Sequence, residues 1–312
     1  MLISVCIAAY NRPAFLGEAV ESVLGQQDPC VEVVITDDSS NAEIERLVAG
    51  RWSSPMVRYF RNRDRLGYPN NFNRALREAR GQWFVTLADD DYLLPGALAA
   101  VRACIGILGH GQMVFPGSPR RSDQEAHGIR YRYYAAGDAL HHFQGQPPSA
   151  VFFSRELFES LGGYDDRYLA SDEELWARYM QICSCMEITS HALAHYRLHD
   201  CNLGLNYLNL PDSLQRYDVV SRQLATYRGL CGAELDAFVL ARRRTAIRFG
   251  LGRGLQLRNS ALIRRYAGLM CAFSTGHAVP YAVMAKTPRA AARVYVLYRW
   301  LKKVFHFGLS VA

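Results

Sequence analysis

Short β-branched apolar runs that close on polar or acidic clusters, alternating with helical stretches, fill the first hundred residues. Leu2 to Ala8 (LISVCIA) closes on Ala9-Tyr10-Asn11-Arg12. Val31 to Thr36 (VEVVIT) closes on Asp37-Asp38-Ser39-Ser40, Val57 to Phe60 follows, and Trp83 to Leu87 runs into Asp89-Asp90-Asp91. Runs this short suit strands buried in a parallel sheet. Pro13 opens a helix in which Phe15, Leu16, Ala19, Val20, Val23 and Leu24 form one apolar face. Asn41 starts a second helix, and Asn70 to Arg80 is a third that Gly81 ends in the C′ manner. Strands alternating with helices specify a parallel sheet with helices on its faces. Ligands of such sheets bind beyond the carboxyl ends of the strands. That rule selects Tyr10-Asn11-Arg12, Asp37-Asp38 and Asp89–Asp91 together.

From 112 to 170 the pattern is irregular, with short strands near Met113–Phe115 and Ala150–Phe153 and a helix near 155–161. Another helix starts at Asp172, and beyond 212 the chain reads as helices only. Half of the 312 residues are apolar and 21% are charged, so a sizeable core is expected and general disorder is excluded. The net charge of +7 hides a split: residues 1–219 hold 20 basic and 27 acidic side chains, and 220–312 hold 16 and 2. The larger part is acidic, which argues against nucleic acid as a partner. Eight cysteines are too sparse for a disulfide scaffold. No secretory signal is visible at Met1–Val5. The uncharged stretch 266–285 is interrupted at Ser274-Thr275-Gly276-His277 and Pro280, so a membrane span is not expected. A reducing, cytosolic compartment is the expected location.

Three adjacent carboxylates at a strand end repel one another. A solvated acidic turn is one explanation; a hard divalent cation is the better one here, because Mg²⁺ or Mn²⁺ takes oxygen ligands and shares the rest with substrate phosphates. These residues also carry a resemblance. Ser4 to Arg12, Ile35 to Ser40, and Gly81 to Asp91 with Pro95 resemble the family 2 glycosyltransferases of the GT-A fold. The similarity extends through Leu161-Gly162-Gly163-Tyr164-Asp165 and Ser171 to Arg178, and ends at Tyr196-Arg197-Leu198-His199. It covers about residues 1–205, with five motifs in family order.

The resemblance implies an α/β fold: a Rossmann-like, mostly parallel mixed sheet flanked by helices, with a C-terminal all-helical extension. It implies a catalytic domain over 1–211, whose first hundred residues bind the nucleotide sugar and whose 101–211 half meets the acceptor, followed by a basic helical region over 212–312. Ala8 and Tyr10 are implied to receive the nucleobase, and Asp38 to accept the imide N–H of uracil or thymine. The acidic run is implied to hold the metal and touch the ribose. Relatives often read Asp-x-Asp-Asp where this chain has Ala88, so metal ligation is expected from Asp90 or Asp91 and ribose contact from Asp89. Arg65-Leu66-Gly67 replaces a common Asn-x-Gly, and Arg65 faces either the diphosphate or solvent. Arg12 joins the donor-binding set, Asp90 also serves the donor, His199 is implied near metal and diphosphate, and Arg197 is structural or touches phosphate.

The segment from 171 is also legible on physical grounds. Ser171 with Glu174 three residues later forms a capping box. Asp172, Leu175, Trp176 and Tyr179 share the inward helical face. An aspartate there suits a general base, the role the resemblance implies. A helix N-terminus lowers its pKa; the acidic run and donor diphosphate raise it. Cys183, Cys185, His191, His195, His199 and Cys201 hold enough soft ligands for zinc, but Cys-x-Cys lacks the usual gap and structural zinc is not expected. Gly250-x-Gly252-x-Gly254 follows a helical stretch rather than a strand and is not a nucleotide loop.

Residues 294–305 form an amphipathic helix, with Val294, Leu297, Tyr298, Leu301, Val304 and Phe305 opposite Arg299, Lys302, Lys303 and His306. With Arg289 and Arg293 upstream, it either meets anionic lipid through 289–306 or packs on the catalytic domain. A location on the inner face of the cytoplasmic membrane follows from the first alternative.

The expected activity is metal-dependent, inverting transfer from a UDP- or dTDP-sugar to a growing surface glycan or lipid-linked saccharide of a bacterial polysaccharide. A sugar nucleotidylyltransferase is the enzyme rival, but its Gly-rich opening and following lysine are missing; no lysine precedes Lys286. A non-catalytic glycan- or nucleotide-sugar-binding protein is the other rival.

Overall fold

The computed structural model describes every residue except 110, 118–128, 143–148, 150, 198, 200–201, 203–206, 208, 274–277 and 296–312. Contacts divide the chain into two units, Met1–Arg197 and Leu198–Ala312. The sequence reading set its boundary later, at 211/212.

The first unit is built on an eight-stranded mixed sheet in the order β3-β2-β1-β4-β8-β6-β9-β7. Its strands are β1 (Ile3–Ala9), β2 (Val31–Asp37), β3 (Val57–Arg61), β4 (Trp83–Ala88), β6 (Met113–Pro116), β7 (Tyr131–Tyr134), β8 (Phe152–Ser154) and β9 (Cys185–Ile188). A short antiparallel pair, β5 (Tyr92–Leu93) and β10 (Ala194–His195), stands apart. β3, β2, β1 and β4 run parallel, whereas β8 is antiparallel to both β4 and β6. The helices are α1 (Pro13–Leu24), α2 (Glu43–Arg51), α3 (Tyr68–Glu78), α4 (Ala97–Leu108), α5 (Asp138–His142), α6 (Arg155–Leu161) and α7 (Ser171–Met180).

Strand periodicity distributes the side chains between two helical layers. Ile3, Val5 and Ile7 of β1 pack with Val85 and Leu87 of β4 against Leu16, Val20 and Val23 of α1 and Leu98 and Val101 of α4. The alternate positions serve the other layer. The Phe84 ring meets Phe158 of α6, and Thr86 shares a 2.7 Å hydrogen bond with the Tyr164 hydroxyl. Trp176 and Tyr179 of α7 complete that layer through the rings of Phe153 and Tyr164.

Gly81 has a different reason from the one its sequence context implies. α3 ends at Glu78 on an extended Ala79, and Gly81 is not a left-handed helix end. A Cβ at Gly81 would lie 2.6 Å from Ser4 Oγ and 2.7 Å from the Leu2 carbonyl. Close approach to β1 selects the glycine.

The second unit, taken by itself, is helical among its described residues: Ser213–Tyr227, Gly232–Gln256, Ser260–Phe273, Ala278–Lys286 and 288–295. Ile247, Leu251, Leu262, Ile263, Tyr266 and Met270 form its core. Gly250 and Gly254 let two of these helices touch, since a Cβ would meet the Tyr266 ring at 2.6 Å and Ile263 N at 2.9 Å. That packing accounts for Gly250 and Gly254, whereas a Cβ at Gly252 would meet nothing within 4 Å. No described helix is long and apolar enough to cross a membrane. The amphipathic helix expected over 294–305 lies outside the described residues beyond 295.

Candidate active site

The parallel register brings three strand ends level. Ala8 of β1 pairs with Thr36 of β2 and with Ala88 of β4, and Ala9 pairs with Asp37. The clusters at 10–12, 37–40 and 88–91 therefore open along one edge of the sheet.

Asn11 turns the chain from β1 into α1 with φ at 53°, a left-handed conformation that asparagine tolerates better than most residues. Its N–H donates to Ser39 Oγ at 2.8 Å, and its side-chain carbonyl accepts the Ser40 N–H at 3.1 Å. This latch joins the first two loops and sets the direction in which Arg12 leaves the turn. Asn11→Ala is expected to lower stability by about 1–3 kcal/mol through left-handed strain and lost hydrogen bonds. Thermal unfolding checks it, and an unchanged midpoint would contradict the latch.

The acidic run is not a solvated turn: Asp89, Asp90 and Asp91 are 1%, 6% and 1% exposed. Burying three carboxylates demands compensation, and the site supplies it. Asp89 Oδ2 accepts the Tyr10 N–H at 2.9 Å, and Asp89 Oδ1 lies 2.5 Å from Arg12 Nη2. Arg12 Nη1 contacts Asp90 Oδ2. Asp91 Oδ2 accepts the Ser149 hydroxyl at 2.5 Å, and Asp91 Oδ1 accepts the Arg197 N–H at 2.9 Å. Burial pushes Asp89 up to about 7 although Arg12 pulls it down, and pushes Asp91 up to about 6 although Ser149 and the Arg197 N–H oppose it.

The donor set fits a hard cation. Asp91 is held by the Ser149 hydroxyl and the Arg197 N–H, and Asp90 meets the guanidinium of Arg12. One carboxylate with substrate phosphates is enough for Mg²⁺ or Mn²⁺. Among the described residues no three His, Cys, Asp or Glu side chains converge on a common point. Cys183 and Cys185 are buried with their sulfurs 3.6 Å apart, and His195 stacks on Tyr92.

Asp38 organises the loop between β3 and α3. Its Oδ1 accepts the Asn62 amide at 2.5 Å and the Leu66 N–H at 3.1 Å, and its Oδ2 accepts the Gly67 N–H at 2.9 Å. Gly67 has φ at 81°, the left-handed position that the Arg65-Leu66-Gly67 turn requires. The turn carries Arg65 back over β1, with its guanidinium carbon 4.2 Å from the centre of the Tyr10 ring.

Asp172 stands in the first turn of α7, half-buried on the face that carries the fully buried Leu175, Trp176 and Tyr179. Burial pushes its carboxyl up to about 7, and Glu173 adds to the rise; the N–H groups of Glu173 and of Asp172 itself oppose it. Burial therefore outweighs the helix N-terminus. The capping box is not formed: Ala170 is the N-cap, Ser171 is already helical, and its buried hydroxyl has no hydrogen-bond partner. Glu174 instead grips Arg178 at 2.9 and 3.0 Å, and Arg178 holds the carbonyls of Leu161 and Gly163.

His199 belongs to the second unit, where its N–H donates to Asn202 Oδ1 at 2.8 Å. Ser149, Asn62 and Asn71 were not singled out in the sequence. Asn71 is 2% exposed and donates toward the Ala9 and Thr36 carbonyls. Its signal was available: an asparagine beside Phe72 on the inward face of an otherwise amphipathic helix.

The model of glycosyl transferase family 2 matches residues 4–162. An uncharacterized protein of Mycobacterium tuberculosis is 31% identical over 57% of this chain and 62% of its own length. A GalNAc(5)-diNAcBac-PP-undecaprenol beta-1,3-glucosyltransferase of Campylobacter jejuni is 32% identical over 32% of this chain and 33% of its own length. The chain thus spans less than two thirds of these curated relatives. Among solved structures, S. aureus TarS 1-349 in complex with UDP-GlcNAc has a TM-score of 0.62 at 15% identity, over 95% of this chain and 92% of that one. The mannosyltransferase PcManGT from Pyrobaculum calidifontis, in complex with GDP-Man and Mn²⁺, has a TM-score of 0.53 at 19% identity, over 95% and 87%. These likenesses show the fold, which is GT-A-like.

Proposed function

We propose, for a chain that belongs to glycosyl transferase family 2, that it transfers a sugar from a nucleotide diphosphate to a glycan or lipid-linked saccharide with inversion. The observation that carries this reading is the buried acidic run at the level strand ends, with Arg12 against it and Tyr10 beside it. Tyr10 and Ala8 receive the nucleobase, with the Arg65 guanidinium over the tyrosine ring. Asp38 keeps acceptor capacity on Oδ2 for a base imide N–H while holding its loop. Asp89 faces the ribose, and Arg12 the diphosphate. Asp90 is the metal ligand, and Asp91 anchors the run. A divalent cation bound there offsets negative charge on the departing diphosphate. Asp172 takes the proton of the acceptor hydroxyl as that oxygen attacks the anomeric carbon; the bond to the diphosphate oxygen breaks in the same displacement.

The Campylobacter relative's name supports a lipid-linked saccharide as acceptor, and TarS with UDP-GlcNAc supports a uridine donor. Incubation with radiolabelled UDP- and dTDP-sugars and lipid-linked saccharides should yield a labelled product of inverted anomeric configuration. Retained configuration would overturn the displacement. An anionic membrane surface is the proposed partner of 289–306. Removing 290–312 should move the protein from the membrane fraction to the soluble one, and unchanged partitioning would remove that partner.

A further inference from the structure

The helical unit holds a cavity of its own, of about 640 Å³. Pro211 and Leu214, at the start of Ser213–Tyr227, line it together with Arg243 of Gly232–Gln256 and with Arg265, Gly268 and Leu269 of Ser260–Phe273. Volumes of this order hold small ligands. The lining is of two kinds. Pro211, Leu214, Gly268 and Leu269 form an apolar wall, and Arg243 and Arg265 add two guanidiniums; among the described residues that line it none is a carboxylate. Both guanidiniums are set by their neighbours. Arg243 donates from Nε and Nη2 to Asp218, the Nε bond at 3.0 Å. Arg265 Nη2 donates to the Leu210 carbonyl at 2.8 Å and to Ser213 Oγ at 3.1 Å. Arginines ordered in advance lose less freedom on receiving an anion. Gly268 leaves room beside them: it is exposed, and a Cβ there would meet nothing within 4 Å. Helix packing therefore explains Gly250 and Gly254 but not Gly268, although glycine weakens a helix interior.

The two kinds of lining select the ligand class. A bare anion leaves the apolar wall in water, and a neutral amphiphile brings no charge to the guanidiniums. A lipid phosphate meets both, because guanidinium groups bind phosphate oxygens well and hydrocarbon gains by leaving water. The surrounding sequence has the same sign. From 237 to 312 the chain has 14 Lys and Arg and no Asp or Glu, a balance that draws it toward anionic lipid. We propose that this cavity binds an anionic membrane phospholipid, with its phosphate against Arg243 and Arg265 and the upper part of an acyl chain across Leu214, Gly268 and Leu269. The site needs neither the donor-site reading nor any residue of 289–306. It recognises a single headgroup, where an amphipathic helix would respond to the charge of the surface as a whole.

Calorimetric titration of the full chain with dihexanoyl phosphatidylglycerol, kept below its micelle concentration, tests the site. The wild type should bind it saturably, at least fivefold more tightly than dihexanoyl phosphatidylcholine and at least tenfold more tightly than inorganic phosphate. Gly268→Leu grows into the cavity and should weaken phosphatidylglycerol at least tenfold. Its melting temperature should hold or rise, because leucine favours a helix over glycine. Should it fail to fold, as judged by circular dichroism, the double variant Asp218→Asn/Arg243→Gln takes its place, since it removes the cation together with its partner. That variant should bind phosphatidylglycerol and phosphatidylcholine within twofold of each other. A folded Gly268→Leu protein that binds phosphatidylglycerol as the wild type does would overturn the proposal. So would inorganic phosphate binding as tightly as the lipid, which reduces the site to an anion hole, or geranyl phosphate binding more tightly, which assigns it to a different lipid phosphate.

Discussion

Asp172→Asn is expected to bind donor as the wild type does and to lose turnover by about 10²–10⁴-fold, the range that a positioned general base contributes. The variant keeps size and removes the proton acceptor. A carboxyl held at about 7 by burial is matched to work near neutrality. In the wild type, kcat/KM should therefore rise with pH through about 7 and level off above it, as the carboxyl ionises. The same shift makes a stability prediction of definite sign. The folded-state pKa lies above the unfolded value, so folding favours the protonated carboxyl; that contribution is full below about 4 and is lost as pH rises through about 7. Asparagine has no proton to lose. The melting temperature of Asp172→Asn relative to wild type should climb between pH 4 and pH 8. A variant that keeps its turnover, or a relative melting temperature that is flat with pH, would contradict the assignment.

Asp90→Asn should abolish metal-dependent nucleotide binding, a loss of about 100-fold or more. Neighbouring Asp91→Asn should lower the melting temperature and keep metal-dependent binding. The carboxylate of Asp91 accepts two hydrogen bonds on different oxygens, from Ser149 and from the Arg197 N–H. An amide offers one acceptor and one donor, so one of those donors meets another donor. A buried mismatch of this kind costs about 1–3 kcal/mol, or a few degrees of melting temperature for a domain of this size. Calorimetric nucleotide titration and thermal unfolding on both variants resolve which carboxylate binds and which one holds. A stable Asp91→Asn protein without metal-dependent binding, beside an Asp90→Asn protein that retains it, would reverse the two roles.

The level strand ends were legible because their information is local. Each strand is a short apolar run, and each chemical cluster follows its strand directly, so strand identity and cluster position arrive together. The parallel register then aligns Ala8, Thr36 and Ala88 without further instruction. The partners of Asp91 were not legible, because they are distant: Ser149 lies 58 residues away, and Arg197 lies 106 away. Asp172 illustrates the same limit. Its helical position is local and left opposing influences on its pKa unbalanced; burial, a property of the folded layer, decides the direction. Ser171 and Glu174 matched a capping pattern, yet the helix begins one residue too early for it. α4 was missed because ALAAVRACIGIL is apolar almost all round and has little periodicity; Ala97, Leu98, Val101 and Cys104 are all buried. The two-residue strands β5 and β10 are too short for any alternation to register.

The central claim is that a nucleotide diphosphate and a divalent cation bind together at the acidic run. The most direct measurement is calorimetric titration of the wild-type chain with UDP, dTDP and GDP, each in Mn²⁺ and again with chelator. The account predicts binding of at least one nucleotide in Mn²⁺ and its loss, tenfold or more, when the metal is removed. A folded protein that binds none of the three in Mn²⁺, or binds one equally well in chelator, would contradict it.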